Sequence, residues 1–125
     1  MFARKVIHLS PLVTREDIED EAKAIDRLCT DPPGVHVVRI FRHGWLKSAT
    51  GDKAPLPMYF IDMELGDYSL EDYINNLGEE SYLPTANILY IMLQITAGIS
   101  FIHRSGMIHG DLKPANSNIN LVSQN

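Results

Sequence analysis

One cysteine in 125 residues, Cys29, cannot close an internal disulfide. No second Cys or His stands at a zinc-ligand spacing, which excludes a disulfide-stapled secreted scaffold and a structural zinc module. A reducing compartment is expected, cytoplasmic or nuclear. Long apolar runs are scarce as well. The start, MFARKVIHLSPLV, has no extended apolar region and no small-residue cleavage site, so no signal peptide is expected. Ile88 to Ile102 is the most apolar stretch, and Gln94, Thr96, Gly98 and Ser100 interrupt it. It is expected to fall short of a membrane span. Charge of one sign is not in large excess: 16 acidic and 11 basic residues are interspersed for a net charge of −5. That balance argues against a nucleic-acid surface, and it is too mild for a disordered acidic chain. Internal repeats and low-complexity runs are absent.

What remains is 45% hydrophobic and of the length of one modest domain. Phe2 to Leu9 alternates apolar and polar residues, which predicts a short strand ended by Ser10-Pro11. Thr14 and Asp17 form a variant capping box, and Ile18, Ala22, Ile25 and Leu28 recur at helical spacing behind it, predicting a helix from Arg15 to Cys29. The acids of REDIEDE fall in its first turns, where the helix dipole favours them. Pro32 and Pro33 stop that helix. VHVVRIF (Val35 to Phe41) and MYFIDM (Met58 to Met63) predict two strands, antiparallel neighbours across a Gly- and Pro-bearing loop. A short helix follows from Leu70 to Leu77, ended by Gly78. A long apolar helix is then expected, with Pro84 near its start, Thr85 as a cap and Gly106 at its C-cap. The order of elements is α+β rather than doubly wound.

The chain then reads MIHGDLKPAN, Met107 to Asn116. Within it a carboxylate, an ammonium and an amide stand close together, able to accept a hydroxyl proton, neutralise a phosphate and ligate a hard cation. Those are the parts of phosphoryl transfer. An isolated D-x-K-P-x-N is equally well a polar turn, but the order H-x-D-L-K-P-x-N after an apolar helix ending FIHRSGMI is far more restrictive. His109, Asp111, Leu112, Lys113, Pro114 and Asn116 resemble the catalytic loop of the eukaryotic protein kinase family, and Lys113-Pro114 resembles its serine/threonine branch.

The resemblance extends from Phe2 to Asn116, with an overall look closest to fungal serine/threonine kinases. FARKVI is similar to the family's V-A-x-K strand, which implies that Lys5 holds the α- and β-phosphates of ATP. Glu21 sits on the inward stripe of the next helix and is its implied partner, because a lone carboxylate there is costly to bury. Glu19 and Asp20 point elsewhere. YFIDMELGDYSLEDYI resembles the fifth strand and hinge, making Met63 the gatekeeper and giving the backbone of Glu64 and Gly66 the adenine edge. Asp111 is the implied catalytic base, Lys113 the contact to the γ-phosphate and Asn116 a Mg2+ ligand. Gln94 and His103 are expected to be buried structural groups. His8, His36 and His43 lack an acidic or Cys partner at ligand spacing.

The expected fold is therefore a partial protein-kinase-like fold: an incomplete antiparallel N-lobe sheet with its helix (1–63), a hinge (64–68), then the first helices of the large lobe and the catalytic loop (69–125). The pattern departs from the family in three places. Gly110 replaces the Arg of H-R-D, which pairs with a phosphorylated activation loop. The 125 residues contain no G-x-G-x-x-G, and SNINLVSQN does not continue into the family's apolar strand and D-F-G. A truncated kinase, weak or inactive by itself, is the expectation. The alternatives are a non-catalytic pseudokinase-like module or a non-functional fragment. ATP and a protein substrate are the implied partners, without nucleic acid or membrane. The apolar surface of the long helix also invites a protein partner.

Overall fold

The computed structural model describes residues 1–29, 36–46, 57–78 and 82–120. They divide into two compact units, 1–33 with 38–65 and 34–37 with 66–125.

The first unit is built on three strands, β1 (Phe2–His8), β2 (Ile40–Trp45) and β3 (Met58–Glu64), in the order β1-β3-β2 and antiparallel throughout. Lys5 lies opposite Ile61, and Arg4 and Arg42 both lie opposite Asp62. Helix α1 (Arg15–Leu28) begins at the expected capping box, where the Thr14 hydroxyl accepts from the Asp17 amide and the Asp17 carboxylate accepts from the Thr14 amide. Its apolar stripe meets one face of the sheet. Ile18 and Ile25 pack with Tyr59 and Ile61, ringed by Ile7, Ala22, Ile40, Trp45 and Met63. Period 3.6 in α1 and period 2 in β3 converge on one core.

Strand β2 lies further along than VHVVRIF predicts. Val35 is outside the described residues, and His36 has a φ of 60°, which breaks an extended run. The strand begins at Ile40, shifts register between Ile40 and Arg42, and continues through the polar residues Arg42, His43 and Gly44 to Trp45. The apolar β-branched residues suggested one stretch; the pairing with β3 selected another. The loop expected between β2 and β3 falls largely outside the described residues.

In the second unit, β4 (Tyr68–Ser69) pairs with β5 (Asn118–Ile119), a small ladder the sequence does not announce. Helix α2 (Leu70–Asn75) is shorter than expected and starts at a second capping box, Ser69 with Asp72. Gly78, with φ of 66°, follows the turn that ends it. Helix α3 (Thr85–Arg104) has Pro84 at its N-cap. Thr85 is thus the first helical residue and not the cap; the Pro84 carbonyl takes the amides of Asn87 and Ile88. Gly106 stands just past the end at φ of 76°, its amide donating to the His103 carbonyl.

Only Gly98 and Ile102 of α3 are buried, while Ile88, Leu89, Tyr90, Met92 and Leu93 are exposed. Gly98 is needed for close approach: a Cβ there would lie 2.6 Å from the His36 carbonyl oxygen. His103 is exposed, contrary to the expectation of a buried group, and Gln94 is half-buried. By length and composition α3, with a mean hydropathy of 1.5, is long and apolar enough to cross a membrane. This corrects the reading of its polar residues as sufficient interruption. Thr96 shows one reason, since its hydroxyl donates back to the Met92 carbonyl at 2.7 Å and is satisfied within the helix.

Candidate functional site

Two side-chain groups carry the chemistry expected of the sequence, one in each unit. In the first unit Lys5 projects from β1 on the side of the sheet that faces α1. Its Nζ donates to Glu21 Oε1 at 2.8 Å. Glu19 and Asp20 instead face Arg15 and Lys23 on their own helix, at 3.7 and 2.7 Å. The sequence placed Glu21 where burial would demand a partner. In the structure the pair is only half-buried, with the Lys5 and Glu21 side chains 52% and 40% exposed. An ion pair so exposed adds little to stability, so its value lies in geometry. The ammonium keeps further donors for a phosphate.

Met63 is partly buried against the α1–sheet core, between Ala3 and Ile40 on the neighbouring strands. The Glu64 amide donates to the Arg39 carbonyl at 2.9 Å, and its carboxylate accepts from the Arg39 amide. The boundary between the units falls after Leu65. Gly66 opens the second unit, where a Cβ would meet the Asn118 Cβ at 2.7 Å, so close packing against β5 already requires glycine there.

The second group is the loop after α3. Gly110, with φ of 76°, makes the backbone turn that a side chain would strain. Asp111 follows, its amide donating to His109 Nδ1 at 3.3 Å. A single 3-10 turn, Pro114–Asn116, brings Asn116 back over the loop. Its Nδ2 donates to the Asp111 carbonyl at 2.9 Å and to Asp111 Oδ2 at 3.0 Å. Lys113 Nζ lies 3.2 Å from the same carboxylate oxygen. The Lys113 hydrogen bond and then the Asn116 amide hold the Asp111 carboxyl below the usual carboxylate range, with the Lys113 charge adding to them. These contacts engage Asp111 Oδ2 and Asn116 Nδ2, which leaves Asp111 Oδ1 and Asn116 Oδ1 as the hard acceptors of the pair. No cluster of three His, Cys, Asp or Glu residues able to hold a metal occurs among the described residues.

Two further groups escaped the sequence reading. Asp62, 1% exposed on β3, lies between Arg4 and Arg42. Arg4 Nε and Nη2 donate to its two oxygens at 2.6 and 2.8 Å, and Arg42 Nε donates at 2.6 Å. An acid inside the apolar run MYFIDM was the available signal. His43 also has acidic company that spacing did not reveal: Nε2 lies 3.0 Å from Asp26 Oδ1 and Nδ1 hydrogen-bonds the Tyr59 hydroxyl.

No family model matches the chain. Curated relatives do. It is 32% identical over 111 residues to the serine/threonine-protein kinase PknG of Mycobacterium leprae, covering 86% of this chain and 14% of that protein. It is 30% identical over 121 residues to the cell division control protein 2 homolog D of Antirrhinum majus, covering 90% of this chain and 36% of that one. Over a shorter span of 49 residues it is 41% identical to chicken Wee1-like protein kinase 2, which amounts to 9% of that protein. The fold is similar to the kinase domain of Mycobacterium tuberculosis PknI, with a TM-score of 0.69 at 20% identity over 98% of this chain and 50% of that domain. The chain belongs to the protein kinase family. The kinase-family match runs through both units, and its α+β architecture is a partial kinase fold. The chain spans between 9% and 36% of the length of these curated kinase relatives.

Proposed function

We propose that the chain serves serine/threonine protein kinase chemistry, the transfer of the γ-phosphate of ATP to a protein hydroxyl. The observation that carries this reading is the Asp111–Lys113–Asn116 cluster within H-x-D-L-K-P-x-N, each side chain within hydrogen-bond reach of the Asp111 carboxylate. Hydrogen bonds from Lys113 and Asn116 hold the Asp111 carboxyl below the usual carboxylate range, so it stands as a carboxylate. Its Oδ1 orients the acceptor hydroxyl and takes its proton as the new oxygen–phosphorus bond forms and ADP leaves. Lys113 places positive charge beside the moving phosphoryl group. Lys5, fixed by Glu21, takes the α- and β-phosphates, and the 64–68 segment with Met63 receives the adenine.

The oxygen donors present fit magnesium, a hard cation that fills most of its shell with phosphate and water oxygens. Asn116 would hold it through its side-chain amide oxygen, the Nδ2 of the same amide being taken up by Asp111. When bound, magnesium neutralises charge on the β- and γ-phosphates. These 125 residues contain neither a G-x-G-x-x-G nor a D-F-G. Each missing electrostatic element costs on the order of 10²-fold, so turnover by these residues alone is slow.

Incorporation of labelled γ-phosphate into a Ser/Thr-rich acceptor such as casein tests the reading. Slow formation of phosphoserine or phosphothreonine, abolished by Asp111→Asn, is expected. Equal incorporation by wild type and Asp111→Asn, or none by wild type, contradicts it. The exposed apolar face of α3 favours a second reading, a non-catalytic pseudokinase-like module that works through a protein partner. ATP binding without transfer, together with a stable complex, would select that one.

A further inference from the structure

Helix α1 is seated on the sheet chiefly through Ile18 and Ile25. Apolar contacts of this kind are non-directional and set neither the rotation nor the axial position of a helix sharply. Two directional contacts sit at its ends. In the first turn the Arg15 guanidinium lies 4.3 Å from the Trp45 ring centroid, and Trp45 stands edge-on to Tyr59 at 5.2 Å. In the last turn Asp26 meets His43, which in turn meets the Tyr59 hydroxyl. Nε2 donates to the Asp26 carboxylate, while Nδ1 shares a hydrogen bond with the Tyr59 hydroxyl, so one ring spans the two partners. Tyr59 is 4% exposed and packed in the core, while Asp26 is open to solvent, so the imidazole links a core residue of the sheet to the surface of the helix.

We propose that Asp26, His43 and Tyr59 form a tether that sets the position of α1 and thereby holds Glu21 against Lys5. The three are positioning residues for the Lys5 ammonium, and the inference rests on the reading of Lys5 as the phosphate-binding lysine. Glu21 lies between the two end contacts, just over one turn from Asp26. A helix released at its last turn swings about the Arg15–Trp45 contact, and that motion carries Glu21 away from Lys5. Lys23 provides an internal reference, because its partner Asp20 lies on the same helix 2.7 Å away and moves with it.

The test is the rate of acetylation of each lysine by an amine-selective ester, read by mass spectrometry on the whole chain. In His43→Phe and Asp26→Ala, labelling of Lys5 is expected to rise about two- to fivefold, the scale of losing an exposed ion pair, while Lys23 is unchanged. Asp26→Asn, whose amide oxygen still accepts from Nε2, is expected to stay near wild type. Unchanged Lys5 labelling in both disrupting variants overturns the tether. A parallel rise of Lys23 also overturns it, since the whole helix has then loosened. Asp26 is an exposed helical position, so Asp26→Ala carries the test even where His43→Phe fails to fold. Binding of a fluorescent ATP analogue by the wild type is measured alongside. Its absence sinks the nucleotide role of Lys5 and leaves the labelling contrast to decide the tether.

Discussion

Replacing Asp62 by Asn removes the charge that two arginines share across three strands. Arg4 on β1 and Arg42 on β2 are each directly opposite Asp62 in the ladder, so one carboxylate fastens both outer strands to the central one. The Arg4 hydrogen bond, against an opposing cost of burial and with help from Arg42, brings its pKa down from 3.8 to about 2. A depressed folded-state pKa contributes stability that is fully present above the unfolded value and disappears as pH falls through the folded one. The window here runs from near pH 4 to near pH 2. A shift of nearly two pH units bounds the effect at roughly sixtyfold in the folding equilibrium. Arg4 and Arg42 are 38% and 63% exposed, and solvent screening brings the effect down toward about tenfold. Urea unfolding at a series of pH values measures it. Wild type and Asp62→Asn should differ most near neutrality and converge near pH 2, the variant being flatter in between. Parallel curves across that window would refute the reasoning, whatever other carboxylates titrate there.

Two smaller perturbations probe the local structure. Thr14→Ala deletes the cap of α1 and should cost about 1 kcal/mol in chemical denaturation; the Asp17 carboxyl, held low first by the Thr14 hydroxyl and then by its amide, should titrate closer to its usual range by carbon-13 NMR. Gly98→Ala puts a Cβ 2.6 Å from the His36 carbonyl oxygen, a backbone atom that cannot swing aside, and should cost about 1–3 kcal/mol in a thermal melt. An unshifted melt would mean that this backbone crossing is not close.

Much of the fold was legible because its signals are local. The Thr14–Asp17 box, the 3.6-residue stripe through Ile18 and Ile25, the alternation of β1 and the apolar run of β3 each lie within a few residues. The Asp111 loop was legible for the same reason: its partners are two and five positions away. Strand β2 was misplaced because its start depends on a positive φ at His36 and its end on pairing with β3. The β4–β5 ladder joins Tyr68 to Ile119, residues with no shared pattern. Asp62 and His43 were missed for a related reason. A buried acid in a strand is intelligible only once the register supplies Arg4 and Arg42. His43 meets Asp26 through space alone, and ligand spacing cannot register such a pair. The Lys5–Glu21 pair was reached by resemblance, and the exposure of both side chains changes its meaning from a buried necessity to a positioned contact.

The central claim is that Lys5 serves the phosphates of a nucleoside triphosphate. Titration of the chain with a fluorescent ATP analogue in the presence of Mg2+ tests it most directly. The account predicts saturable binding that weakens about tenfold or more in Lys5→Ala, the scale of removing a charge-assisted hydrogen bond to phosphate. No saturable binding at millimolar nucleotide, or equal affinity in Lys5→Ala, would contradict it.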